Sequence, residues 1–181
     1  MVFEQDGTPV DPRGRTPYAE RFIHGALYEM RADVHAVIHN HSLDVIPFGV
    51  TGVPLRPIVH VAAPIGERPP VWDIRDKFSG GDMLVVTMEQ GRDLARAVGA
   101  GPVALMRGHG CVVAGGTIRT AVMTAVYLQV NARLQMDALR LGEPRYLAPE
   151  EIEYMTRRQQ SPLSIDRVWE YWRQRASAAD L

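Results

Sequence analysis

Six of the chain's 13 prolines fall between positions 47 and 70: Pro47, Pro54, Pro57, Pro64, Pro69 and Pro70. Each fixes φ and lacks a backbone N–H, so no extended helix runs through this stretch and any strand in it is short or at an edge. Leu55 to Ala63 is its best strand candidate, and Pro64 to Pro70 reads as a loop. Before it, Phe22, Ile23, Ala26, Leu27 and Met30 recur at helical spacing, which predicts a helix over about 17–31 with Thr16 as N-cap and Pro17 at the first helical position. Residues 1–16 read as the end of a strand and a turn, and Ala36 to His41 as a brief strand.

After the proline-rich stretch, Met83 to Met88 reads as a buried strand, and Glu89 to Val98 as an amphipathic helix ended by Gly99. Val103 to Met106 reads as a further strand, with Cys111 to Gly115 as its hairpin partner. Residues 117–141 form the longest predicted helix. Two shorter ones follow over 150–159 and 165–175, and their Trp169, Tyr171 and Trp172 suggest docking or subunit contact. Short strands that are neighbours in sequence imply an α/β domain with a largely antiparallel sheet. The expectation is one domain over 1–181: an entry segment over 1–16, a core over 17–145 and C-terminal helices over 146–181.

Lys+Arg 20 against Asp+Glu 21 leaves a formal net charge of −1, which removes the electrostatic footprint of a nucleic-acid or anionic-membrane binder. No uncharged apolar run approaches the ~20 residues that span a bilayer. A single cysteine, Cys111, allows no intrachain disulfide and makes a reducing cytoplasm the expected location. Function is therefore expected at a local site with a small-molecule substrate.

His39 and His41 lie at i and i+2 of a strand, so both imidazoles project from one face, as a chelate requires. His109, framed by Gly108 and Gly110 at the end of another strand, is a candidate third ligand. Three neutral imidazoles with open positions suit Zn, Mn or Fe in the divalent state and leave room for substrate. Against this stands the plainer possibility of polar strand and turn residues. Glu20 stands in the first turn of the predicted helix, where the helix dipole alone favours an acid. If that helix start crosses the mouth of the site, Glu20 becomes a fourth ligand or a general acid/base. His60 and Arg75 are candidates for holding a substrate carboxylate, while Cys111 in an apolar strand is expected to be buried and inert.

Glu20-Arg21-Phe22 opening a helix, Tyr28, the interval from Glu20 to His39-Asn40-His41, and Arg107-Gly108-His109-Gly110 together resemble the class II aldolase/adducin family over residues 2–145. The resemblance implies a three-layer α/β/α domain around a mostly antiparallel sheet, commonly a homotetramer with active sites at subunit interfaces. It also implies three metal-binding histidines, here His39, His41 and His109, and a catalytic glutamate, here Glu20. Family members carry a further N-terminal segment, so by the resemblance this chain enters part-way through the family's sheet.

Ile46-Pro47-Phe48, Leu55-Arg56-Pro57-Ile58, Trp72-Asp73-Ile74-Arg75-Asp76 and Val103 to Gly110 look like the branch of metal-dependent decarboxylases acting on hydroxylated pyridine or benzene dicarboxylates. That implies a lyase in which Glu20 or a metal-bound water supplies a proton to carbon and His60 or Arg75 orients the second carboxylate. A sugar-phosphate aldolase or epimerase would call for a phosphate cradle, and no Gly-Ser/Thr-rich loop offers one. A non-haem iron oxygenase is a third enzymatic reading. A non-catalytic adducin-like binding module is the contrasting class, with no reason to retain all four site residues.

Overall fold

The computed structural model describes residues 1–178. Its sheet has four strands: β1 (Ala36–Asn40), β2 (Val71–Trp72), β3 (Val103–Met106) and β4 (Gly110–Gly115), in the order β1-β4-β3-β2. β4 pairs antiparallel with both β1 and β3, whereas β2 lies parallel to β3. The central pair is buried on both faces, so alternate residues serve two cores. Ala104, Met106, Val112 and Ala114 face one layer, formed by Ile23, Ala26 and Leu27 of α1 (Arg21–Met30) and Leu94, Ala95 and Val98 of α3 (Met88–Val98). Val103, Leu105, Cys111 and Val113 face the other, with Phe48 of α2 (Ile46–Val50), Ile65 of a 3-10 helix (His60–Ile65), and Leu128 and Ala132 of α4 (Ile118–Leu141). The result is the expected three-layer α/β/α arrangement with a mostly antiparallel sheet.

The helix termini follow from capping chemistry. Thr87 and Gln90 form a reciprocal capping box at the start of α3, and Gly99 ends that helix at φ +59°. Thr117 and Thr120 do the same for α4. α5 (Pro149–Gln159) and α6 (Pro162–Ala178) bury no residue completely. Two of the aromatic residues expected to dock do so on this chain's own α4: Trp172 packs against Tyr127 with ring centroids 5.6 Å apart, and Arg119 lies over Trp169. Tyr171 remains exposed.

Three expected elements differ. The first helix begins at Arg21, so Thr16 and Pro17 are not its cap and first turn. Glu20 occupies the N-cap position, yet its side chain caps nothing and reaches across to Val85. Leu55 to Ala63 is not a strand. Its first half is extended, but the ladder partners are side chains: Asn131 accepts from the Ile58 N–H and donates to the Arg56 carbonyl, while Gln135 accepts from the Arg56 N–H and donates to the Pro54 carbonyl. Two fully buried amides one helical turn apart thus take the role of a neighbouring strand, and the chain then coils into the 3-10 helix.

Met83 to Met88 is not a strand either: Met88 already begins α3, and the residues before it pair with side chains. The Leu84 N–H goes to Asp82, Val85 to Glu20, and Val86 and Thr87 both to Gln90. β2, immediately after the proline-rich stretch, is a strand that the sequence pattern does not mark.

Candidate metal centre

β1 carries His39 and Asn40, and the chain turns immediately afterwards because the Asn40 side-chain oxygen accepts from the Ser42 N–H at 3.1 Å. His41 therefore stands beside His39, with ring centroids 5.0 Å apart. The β3–β4 hairpin delivers His109 opposite them, its ring centroid 4.9 Å from that of His39 and 4.7 Å from that of His41. Both flanking glycines have a physical cause. Gly108 takes φ +64° in the turn, and a Cβ at Gly110 would stand 2.1 Å from the Asn40 carbonyl oxygen, where β4 closes on β1. From the start of α1, the carboxylate of Glu20, 5% exposed, completes the group.

The polar bonds around the rings define their tautomers. His39 Nδ1 lies 3.0 Å from the Cys111 carbonyl and His109 Nδ1 lies 3.0 Å from the Met83 carbonyl. A carbonyl only accepts, so both Nδ1 atoms carry the proton and both Nε2 atoms present lone pairs to the centre. The ring nitrogens converge: His41 Nε2 stands 3.2 Å from His39 Nε2 and 3.0 Å from His109 Nε2. Glu20 Oε2 lies 3.3 Å from His39 Nε2, and its Oε1 lies 3.5 Å from His109 Nε2. Burial pushes the His39 imidazole below its ordinary range, opposed by Glu20 and assisted by His109 and His41.

The lone pairs of His39 and His109 and the Glu20 carboxylate, drawn this close, repel one another unless a proton or a metal cation stands among them. Their spacing matches the edge of a tetrahedron with bonds of about 2.0–2.1 Å, which is about 3.3 Å. The ligand atoms of Glu20, His39, His41 and His109 all lie within 4.8 Å of one another. The donor set fits a divalent metal ion. Three of the four side chains are nearly buried, and His41 is the exposed one, so the centre opens to solvent on its side.

His60 and Arg75 do not belong to this cluster. His60 stands exposed at the start of the 3-10 helix, which packs against α4 and α5. Arg75 is committed to Asp73, its Nη2 donating at 2.7 Å. Cys111 contributes only its backbone carbonyl, and burial pushes its thiol up to about 12.

Tyr18 was missed, since nothing in a pattern marks a tyrosine two residues before the glutamate. Its half-exposed phenol is held above its ordinary acidity range by burial and by the neighbouring Glu20 charge. It shares a hollow of about 370 Å³ with Phe3, Arg21, His24 and Tyr28.

A three-layer sheet domain with three imidazoles and a carboxylate converging at one end of the sheet is the architecture of a metal-dependent domain of the class II aldolase type. Residues 1–136 match the family described as "Class II Aldolase and Adducin N-terminal domain", and the chain belongs to that family. It is 31% identical over 191 residues to Decarboxylase tropJ of Talaromyces stipitatus, covering 94% of this chain and 71% of that protein. It is 30% identical to the 3,4-dihydroxyphthalate decarboxylase of Arthrobacter keyseri, covering 66% of this chain and 48% of that protein. Among solved structures, an L-fuculose 1-phosphate aldolase superposes with a TM-score of 0.68 at 23% identity, covering 81% of this chain and 66% of that one, which speaks for the fold alone. The chain thus spans between about half and 71% of the length of these curated relatives. Among the described residues, no helix is long and apolar enough to cross a membrane.

Proposed function

We propose that this chain is the metal-site domain of a divalent-metal-dependent lyase that decarboxylates a hydroxylated aromatic dicarboxylate. The observation that carries the reading is the convergence of His39, His41, His109 and Glu20 on one point with an opening beside His41. Resemblance to two decarboxylases supports the reaction class, one of them named for an aromatic dicarboxylate.

A divalent cation, when bound, supplies Lewis acidity to the substrate oxygens next to the breaking bond. The protein's own part is to hold and move a proton. His39 and His109 are locked by the Cys111 and Met83 carbonyls, so neither ring turns when substrate arrives. Val85 N–H holds Glu20 Oε1 at 3.2 Å and leaves Oε2 facing the centre. As the C–C bond breaks, CO₂ departs with its carbon and the electron pair stays on the ring carbon. A proton passed through Glu20 then completes the new C–H bond. By analogy with the family, the working form is a cytoplasmic homotetramer.

Incubation with hydroxy-aromatic dicarboxylates and, separately, with sugar phosphates tests the reading while CO₂ release is followed. CO₂ from the former is expected. Sugar-phosphate cleavage without CO₂ release overturns the decarboxylase in favour of an aldolase, and inertness towards both with no metal bound would favour a binding module.

A further inference from the structure

His109 stands on the least regular of the supports around the centre. Its turn contains Gly108 in the left-handed region, and its ring is held by Met83, in a segment with no strand partner. Besides the hairpin ladder and the closure of β4 on β1, that turn is tied to the edge strand β2 through its neighbour Arg107. The Arg107 N–H donates to the Trp72 carbonyl at 2.9 Å, just beyond the two-residue pairing of β2 with β3. Its buried Nε, which makes no hydrogen bond, lies 2.6 Å from Asp73 Oδ2 as an ion pair.

Asp73 is itself braced from outside, since its carboxylate accepts from the Arg75 N–H at 3.1 Å and from Arg75 Nη2 at 2.7 Å. The carboxylate is thus shared between an inner arginine that leads to His109 and an outer arginine whose side chain is 61% exposed. The inner pair sits at the base of the turn with both side chains partly covered, whereas the outer arginine stands mostly in solvent, where an ion pair contributes little.

We propose that Asp73, acting through Arg107, is the positioning residue that sets the metal affinity of the centre by fixing the turn that carries His109. This rests on the metal reading of the cluster. Asp73 touches no ligand atom. It restrains where His109 Nε2 can stand relative to the Nε2 atoms of His39 and His41, and misplacing one donor of a closely spaced set weakens the hold of all of them.

The test uses the purified chain, Co²⁺ as a spectroscopic probe, and Zn²⁺ competition against a chromogenic chelator. Asp73→Asn is expected to weaken both affinities by about 10-fold and to shift the visible Co²⁺ absorption, the signature of an altered coordination shell. Arg107→Lys keeps the charge but loses Nε, and moves both readouts in the same direction. Arg75→Ala leaves affinity within about 2-fold.

Asp93 supplies a matched control. It receives hydrogen bonds from Trp72 Nε1 at 2.9 Å and Arg96 at 3.3 Å and pairs with Lys77, on the α3 side of the same strand. Asp93→Asn lowers the melting temperature while leaving the Co²⁺ spectrum as in the parent chain. Parental affinity and spectrum in both Asp73→Asn and Arg107→Lys overturn the proposal. So does a loss of affinity in Asp93→Asn equal to that in Asp73→Asn. Should Asp73→Asn fail to fold, Arg107→Lys decides alone. A parent chain that binds neither ion overturns the proposal together with the metal reading, whereas tight binding indifferent to Asp73 and Arg107 overturns the proposal only.

Discussion

Two stretches of this protein lack strand partners, and the groups that satisfy their backbones differ. Residues 54–58 are held by Asn131 and Gln135 of α4, neutral amides whose donors and acceptors are both used on the backbone. Residues 82–87 are held by Asp82, Gln90 and Glu20, and Glu20 spends only one of its oxygens on an N–H. A buried amide with every bond made is structural and has nothing left over. A nearly buried carboxylate with an oxygen turned towards imidazole lone pairs still has charge to be matched, and that residual demand marks the chemistry.

The sharpest way to break this comparison is Glu20→Gln. The amide oxygen still accepts from Val85, so the melting temperature should hold, while turnover of a decarboxylation substrate falls by roughly 100- to 10,000-fold, as loss of a general acid/base does. Next in size, His39→Ala or His109→Ala should lower metal affinity by more than about 100-fold, exceeding the usual effect of an outer support, read as metal retained after dialysis against a chelator.

On the structural side, Asn131→Ala leaves the Ile58 N–H and the Arg56 carbonyl without partners and should cost about 1–3 kcal/mol in urea unfolding. Metal content should not change; a loss of metal would dissolve the distinction drawn between the two segments. The smallest effect concerns acid. Asp73 is held well below the usual carboxylate range by Arg75 and then by Arg107. A depressed folded-state pKa contributes stability that is present above the unfolded value and lost as pH falls through the folded one. The stability gap between the parent and Asp73→Asn should therefore be full at pH 6 and close progressively below about pH 4 in acid titrations followed by circular dichroism.

Much of this architecture was legible from periodicity. The helices at 88–98 and 118–141 and the hairpin of β3 with β4 follow from apolar spacing, capping threonines and terminal glycines, all local in sequence. The strands expected at 55–63 and 83–88 failed for one reason: an apolar run signals extension and burial but does not name the partner, and here the partners were side chains 65 to 81 positions away, apart from Asp82 and Gln90. The first helix was overextended because Glu20, which a local reading makes a dipole-favoured residue of its first turn, is drawn to Val85 and the imidazoles. The i, i+2 pairing of His39 and His41 could be read directly. The tautomers could not, because they depend on the Cys111 and Met83 carbonyls.

Sequence alone determined that an α/β domain with short neighbouring strands would form and that His39, His41, His109 and Glu20 were the residues to watch, since periodicity and residue type act over a few positions. Tertiary structure decided that their ligand atoms meet, that Tyr18 stands beside Glu20, and that Arg75 is turned to Asp73. Convergence is a property of distances between elements far apart in the chain, and only packing sets those.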